Sequence, residues 1–257
     1  MRAHAKINLA LVVGPPRADG KHEVATVLQR VELADELELE PADSLQVVGF
    51  ADDTIVRRAL ESLAAAAGIE PSWRVRIDKH IPVAAGLGGG SSDAAAALRL
   101  ANVTLSEPLP LHDLASALGA DVPFFLGEGP QLGTGDGSTL APVDLPQDFA
   151  VLLVIPTGET KESTATVYAR FDRGEGFEER RNQLFAAIDA RDLAAFPPND
   201  LVSSPLAWEL GALGAFRADV TGAGPAVYGL FAERAAAEAA AQALATRGHT
   251  WITAPAW

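Results

Sequence analysis

Cysteine is absent from all 257 residues. That excludes a disulfide framework, a thiolate metal site and a cysteine nucleophile, and it leaves the compartment open with a lean toward the cytoplasm. Basic charge is also scarce: 20 Lys and Arg stand against 34 Asp and Glu, for a formal net charge of −14. A protein that tracks a nucleic-acid backbone needs a basic face, so nucleic acid is disfavoured as a partner, while a small polyanion can still bind locally. Long apolar runs are missing too. No window reaches the roughly 18 uninterrupted apolar residues of a membrane span. The opening MRAHAKINLALVVG is broken by Lys6 and Asn8 and carries no small-residue cleavage site, so it reads as a strand and not as a signal peptide. What remains is an ordinary globular composition, 48% hydrophobic and 21% charged, long enough to bury a core unaided.

Periodicity organises the chain. Residues 5–13 place Ala5, Ile7, Leu9, Leu11 and Val13 on one face of a strand and Lys6 and Asn8 on the other. PPRADGKHE (15–23) predicts a hairpin-like connection to a second strand near 24–33, and ELELE (36–40) predicts a third. Helical spacing of Ile55, Val56, Ala59, Leu60 and Leu63 predicts a helix over 54–67 that stops at Gly68. WRVRID (73–78) alternates as a strand, an Ala- and Leu-rich helix starts at Ser91, and a shorter helix covers 111–118. The Gly- and Pro-dense stretch 127–145 predicts a turn or short hairpin and suggests domains over 1–147 and 148–257. Further on come a strand at 149–156, helices near 162–172, 178–190 and 204–214, and strands at 217–221 and 226–231 flanking TGAGP. An Ala-rich helix over 233–246 and a strand near 249–253 complete the chain. Such clustering, without a regular βαβ alternation, predicts a two-part α+β protein.

Glycine is concentrated in PVAAGLGGGSSDAAAALRL (82–100), where four glycines and two serines lie between Gly86 and Ser92, after a strand and before a helix. The first N–H groups of a helix have no intrahelical partner and carry the positive end of its dipole, which suits an anion. Glycines let the backbone approach that anion, and Ser91 and Ser92 add hydroxyls for phosphate or a metal. Lysine is missing here. A P-loop requires it after the last glycine, and a dinucleotide fingerprint requires glycine where Ser91 stands. A phosphate cradle of neither type competes with a glycine-rich turn made for close packing.

These residues resemble the central P-x-x-x-G-L-G-S-S-A motif of the GHMP kinases, which phosphorylate galactose, homoserine, mevalonate and phosphomevalonate. AKINLALVVGPPRADGKHEVATVLQ (5–29), LGADVPFFLGEGP (118–130), PPNDL (197–201) and VTGAGPAVYGLF (220–231) are similar to segments of one branch, the 4-diphosphocytidyl-2-C-methyl-D-erythritol kinases. The resemblance implies an α+β, two-domain GHMP-kinase fold, with an N-terminal domain like the second domain of ribosomal protein S5 and a C-terminal ferredoxin-like domain. It implies ATP as donor, Mg²⁺ bridging the phosphates, and a cytidine diphosphate methylerythritol acceptor in the non-mevalonate route to isoprenoid precursors. Pro82, Val83, Ala84, Ala85, Gly86, Leu87, Gly88, Gly89, Gly90, Ser91 and Ser92 then form the triphosphate loop. Lys6 and Asp121 match the catalytic pair. Asn8, His22 and Tyr168 match substrate positions, with His22 reading the cytosine edge and Tyr168 stacking on the base.

The implied chemistry is self-consistent. Phosphoryl transfer needs positioning, charge neutralisation and an acceptor for the proton of the attacking hydroxyl. Asp121 would take that proton, and Lys6 would keep Asp121 ionised and stabilise the transferring group, so the cation comes from a distant strand. Taken singly, Lys6 reads as a solvated strand lysine, Asp121 as a carboxylate capping the turn at Pro123, His22 as a surface histidine and Tyr168 as a half-buried aromatic. Two positions depart from the family pattern. Lys21 stands where an aromatic usually closes the other side of the cytosine, and Asp53 where an asparagine is usual near adenine. The alternatives left open are a sibling small-alcohol kinase of phosphomevalonate or homoserine type and a non-catalytic nucleotide-binding paralogue.

Overall fold

The computed structural model describes residues 1–50, 54–158, 164–171 and 176–257. Two compact units divide the chain. The first takes Met1–Ala5, Leu33–Val83 and Gly88–Glu128, and the second takes Lys6–Glu32, Ala84–Leu87 and Gly129–Trp257.

In the first unit, the later part of β2 (His22–Pro41) pairs antiparallel with β4 (Trp73–Asp78), and β3 (Gln46–Val48) runs parallel to β4. WRVRID buries Trp73, Val75 and Ile77 and exposes Arg74, Arg76 and Asp78, as period-two alternation requires of a half-buried strand. Its register sets Ile77 opposite Leu37. Helix α1 (Thr54–Ala67) fully buries Val56, Ala59, Leu60 and Leu63. Helix α2 (Gly89–Asn102) packs against it, burying Ala94, Ala95, Ala97, Leu98 and Ala101. Alanine favours this helix intrinsically and allows close approach to its neighbour. Helix α3 (His112–Leu118) and a 3₁₀ turn (Pro123–Leu126) follow, the latter sinking Phe124 into the core.

In the second unit, β1 (Arg2–Pro16) pairs with β2, whose early part also pairs antiparallel with β5 (Gln131–Gly135). β5 and β6 (Thr139–Pro142) form the hairpin expected within 127–145. A second sheet holds β7 (Ala150–Pro156), β8 (Arg217–Val220), β9 (Val227–Phe231) and β10 (Gly248–Thr253) in the order β10-β7-β9-β8, every pairing antiparallel. Helices α4 (Thr164–Ala169), α5 (Phe177–Asp189) and α6 (Pro205–Ala212) lie between β7 and β8 in the chain, and α7 (Arg234–Ala243) lies between β9 and β10. Ala150, Leu152 and Val154 share a core with Leu206 and Leu210 of α6 and Ala237 and Ala240 of α7. The order of strands and helices is the split βαβ arrangement of a ferredoxin-like domain.

Three local expectations change. The strands expected near 24–33 and 36–40 are one, β2, because Ala34–Asp35–Glu36 stays extended. The Asp35 carboxylate, fully buried, accepts the N–H groups of His80 and Ile81, so a polar residue that reads as a break is instead held in place. Helix α2 begins at Gly89, two residues ahead of Ser91, because the N-cap Gly88 turns the chain at φ +72°. Finally, residues 5–14 of β1 have no solvated face: Lys6 and Asn8 are buried like their apolar neighbours, with Lys6 only 4% exposed.

Candidate active site

A lysine on a strand with both faces buried must find partners, since an unpaired buried charge costs several kcal/mol. The Lys6 ammonium donates to Asn8 Oδ1 at 2.6 Å, one pleat repeat further along β1. Asn8 Nδ2 donates to Thr26 Oγ1 on β2 at 2.8 Å. The Lys6 backbone N–H donates to the Leu87 carbonyl at 2.9 Å, so β1 carries its lysine directly alongside part of the glycine stretch.

The glycine stretch is itself held on the other side. The Ala226 N–H donates to the Ala85 carbonyl at 3.1 Å. Gly86 adopts φ +84°, and a Cβ there would lie 2.7 Å from the Thr221 carbonyl oxygen and 3.0 Å from that of Gly224. Both the left-handed conformation and the contact demand glycine. Gly222, from the same TGAGP turn, packs beside the site: its Cβ would stand 3.4 Å from Asn8 Oδ1 and 3.5 Å from Lys6 Nζ. Ala84 also has positive φ, +56°, a conformation that costs a non-glycine residue energy and clusters at functional sites. Two glycine turns far apart in sequence therefore meet beside one buried lysine, within the second unit.

Gly88, Gly89, Gly90, Ser91 and Ser92 fall in the first unit, at the start of α2. Among the described residues no side chain caps this helix, and first-turn N–H groups of this kind suit an anion. Pro82 and Val83 precede the turn in the same unit, and Val83 is exposed. Asp121 belongs to this unit as well, half-buried in the turn before Pro123. The structure thus joins Lys6, Asn8 and Ala84–Leu87 in one unit and places Asp121 with Gly88–Ser92 in the other.

A lysine does stand near α2. Lys79 Nζ donates to Asp35 Oδ2 at 2.6 Å and to Asp93 Oδ2 at 2.7 Å, and lies 3.3 Å from where a Gly89 Cβ would be. Burial pushes its pKa down, but the carboxylates of Asp93 and Asp35 outweigh burial and hold it above the ordinary lysine value. With both buried acids bound to it, Lys79 pins the first turns of α2 to β2.

His22 and Tyr168 come together in the second unit, ring centroids 5.6 Å apart and tilted by 41°, with Phe171 edge-on to His22 at 6.0 Å. Leu11, Val13 and Val24 support these aromatics from β1 and β2. Lys21 bonds to the Asp136 carboxylate in the β5–β6 turn. The Lys21 hydrogen bond first, then the Ser138 hydroxyl, hold Asp136 well below the usual carboxylate range. Asp53 lies outside the described residues.

Thr221, Gly222 and Asn199 belong to the same assembly and were not singled out by the sequence. Their signals were present, TGAGP between two strands and PPND before a helix, but neither shows what it touches. Mg²⁺ commonly uses one or two protein oxygens and completes its shell with phosphate oxygens and water. Among the described residues no group of three or more His, Asp or Glu is placed to hold a metal. Ser91, half-buried at the start of α2, offers one such oxygen, whereas Ser92 is buried. Among the described residues no helix is long and apolar enough to cross a membrane.

Comparison with known proteins shows the family. The GHMP kinases N terminal domain model matches residues 54–129, and the GHMP kinases C terminal model matches 202–250. A 4-diphosphocytidyl-2-C-methyl-D-erythritol kinase of Anaeromyxobacter sp. (strain Fw109-5) is 38% identical over 95% of this chain and 85% of its own length. One from Pelotomaculum thermopropionicum is 41% identical over 90% and 88%. A crystal structure of 4-(cytidine 5′-diphospho)-2C-methyl-D-erythritol kinase superposes with a TM-score of 0.85 at 31% identity, covering 100% of this chain and 99% of that one.

Proposed function

The chain belongs to the 4-diphosphocytidyl-2-C-methyl-D-erythritol kinases of the GHMP superfamily, and from that premise we propose that it moves the γ-phosphoryl group of ATP to the 2-hydroxyl of 4-diphosphocytidyl-2-C-methyl-D-erythritol. It is an ATP-dependent small-molecule kinase acting in isoprenoid-precursor synthesis. The observation that carries the assignment of roles is the buried Lys6–Asn8 pair bound to the backbone of the glycine stretch.

In this reading the acceptor's hydroxyl oxygen forms a bond to the γ-phosphorus as the bond to the ADP oxygen breaks, and Asp121 takes the hydroxyl proton. Lys6 stabilises the charge on the transferring group, and its burial strengthens that interaction by excluding water. Residues 82–92 hold the triphosphate through backbone N–H groups. The Ser91 hydroxyl would meet magnesium, which would supply charge neutralisation when bound. Asn8 orients the acceptor, His22 reads the cytosine edge and Tyr168 stacks on the base. A division near 147 and 148 into an ATP-binding part and a C-terminal part is consistent with the two family matches on either side of it. The acidic balance disfavours nucleic acid as a partner, and the lack of cysteine leans toward the cytoplasm.

Asp121→Asn tests the proton-acceptor role. By the usual worth of general base catalysis, kcat should fall about 10²–10⁴-fold, while calorimetry should find ATP affinity within about threefold of the parent. Full activity in this variant would refute the role.

A further inference from the structure

We propose that Thr221 is a positioning residue for phosphoryl transfer, its hydroxyl fixing the Asn8 amide that in turn fixes the Lys6 ammonium; this rests on the function proposed above. Thr221 is fully buried at the head of the TGAGP turn. Its hydroxyl accepts the Asn8 backbone N–H at 3.0 Å and faces two acceptors, the side-chain Asn8 Oδ1 at 3.3 Å and the Gly86 carbonyl at 3.5 Å. One side chain thus touches the lysine's partner and the glycine stretch together.

Donor accounting shows why the hydroxyl matters. The Lys6 ammonium has only donors, so the Asn8 atom 2.6 Å from it must be the amide oxygen. Thr26 Oγ1 spends its own proton on the Ala10 carbonyl at 2.7 Å, so it accepts from Asn8 Nδ2. The amide therefore has one orientation, and the Thr221 hydroxyl stands 3.3 Å from its oxygen. Without the hydroxyl, the Asn8 backbone N–H loses its acceptor and the side-chain oxygen loses the polar neighbour that favours its position beside Lys6.

Thr221 is itself held from behind. Asn199 Nδ2 donates to the carbonyls on either side of it, Val220 at 2.9 Å and Gly222 at 2.7 Å. The Asn199 backbone N–H donates to Asp219 Oδ2 at 2.8 Å, and Arg217 clamps Asp219 together with the Phe196 and Pro197 carbonyls. This frame is built from groups other than the Thr221 side chain, so a change at 221 removes the hydroxyl and leaves the turn supported.

The test compares Thr221→Val, which keeps the shape and removes the hydroxyl, with Thr221→Ser, which keeps the hydroxyl. Two readouts are taken: steady-state kinetics on ATP and the cytidine acceptor, and trace acetylation of Lys6 relative to the exposed Lys21, read by mass spectrometry. Thr221→Val should lower kcat about ten- to a hundredfold with KM for ATP within about twofold, the size of a lost hydrogen bond in a charged network and of a misplaced catalytic group. Lys6 acetylation should rise several-fold, and Thr221→Ser should restore both values. Should the valine variant fail to fold, Thr221→Ala is read in the same way. Native kcat and native Lys6 labelling in a folded hydroxyl-free variant would overturn the proposal, as would a serine variant as impaired as the valine one. If the parent protein transfers no phosphoryl group to the cytidine acceptor, the functional reading fails while Lys6 labelling still decides the positioning role.

Discussion

At the scale of single residues, two kinds of close contact carry the site. Gly86 is one: its positive φ and its approach to the Thr221 and Gly224 carbonyls leave no room for a methyl group. Gly86→Ala should destabilise the protein by about 1–3 kcal/mol from backbone strain alone, with a further loss from displacing the turn. Urea denaturation would measure the first effect, and ATP titration should show weakened binding in the protein that remains folded. An unchanged midpoint would contradict the packing seen here. The Lys6–Asn8–Thr221 chain is the other kind, a polar contact made valuable by burial. Lys21 behaves differently. Its pairing with Asp136 occupies the ammonium at an exposed position, where such a pair contributes only about 0.2–1 kcal/mol, so it is a modest fastening of one turn to another.

Elements show what was readable in the chain and what was not. WRVRID was legible because its alternation and its burial coincide, and α1 because its apolar spacing matches one helix face. The break expected near Asp35 failed because a buried carboxylate can be satisfied by N–H groups and a lysine some 45 residues away, here His80, Ile81 and Lys79. No local window contains that information. Lys6 was legible as part of a motif, but its burial was not, since alternation places it on the polar face of β1. The contact of the TGAGP turn with Gly86 joins residues 135 positions apart and leaves no periodic trace. The Lys79 bridge between β2 and α2 makes its own prediction. Lys79→Met strands two buried carboxylates and should cost about 3–5 kcal/mol, measured by chemical denaturation at neutral pH. A loss under about 1 kcal/mol would mean that water or another cation replaces the ammonium.

At the scale of the whole molecule, family membership and chemistry converge from separate directions. The relatives and the two family models make the chain a GHMP kinase, a superfamily whose members act on several small alcohols, and the order β10-β7-β9-β8 and the glycine stretch before α2 accord with that. In the function proposed here, the choice of alcohol would rest on a smaller set of side chains, with His22 and Tyr168 facing the base and Phe171 packed edge-on to His22. Aromatic rings beside a histidine able to hydrogen-bond suit a nucleobase better than they suit mevalonate or homoserine, which have no ring to stack. The most direct test of the account is therefore a coupled assay of ADP release from ATP and Mg²⁺, run with 4-diphosphocytidyl-2-C-methyl-D-erythritol, phosphomevalonate, galactose and homoserine in turn. Release stimulated by the cytidine acceptor and near background with the other three is the predicted result; no stimulation by that acceptor, or a preference for any of the others, would contradict it.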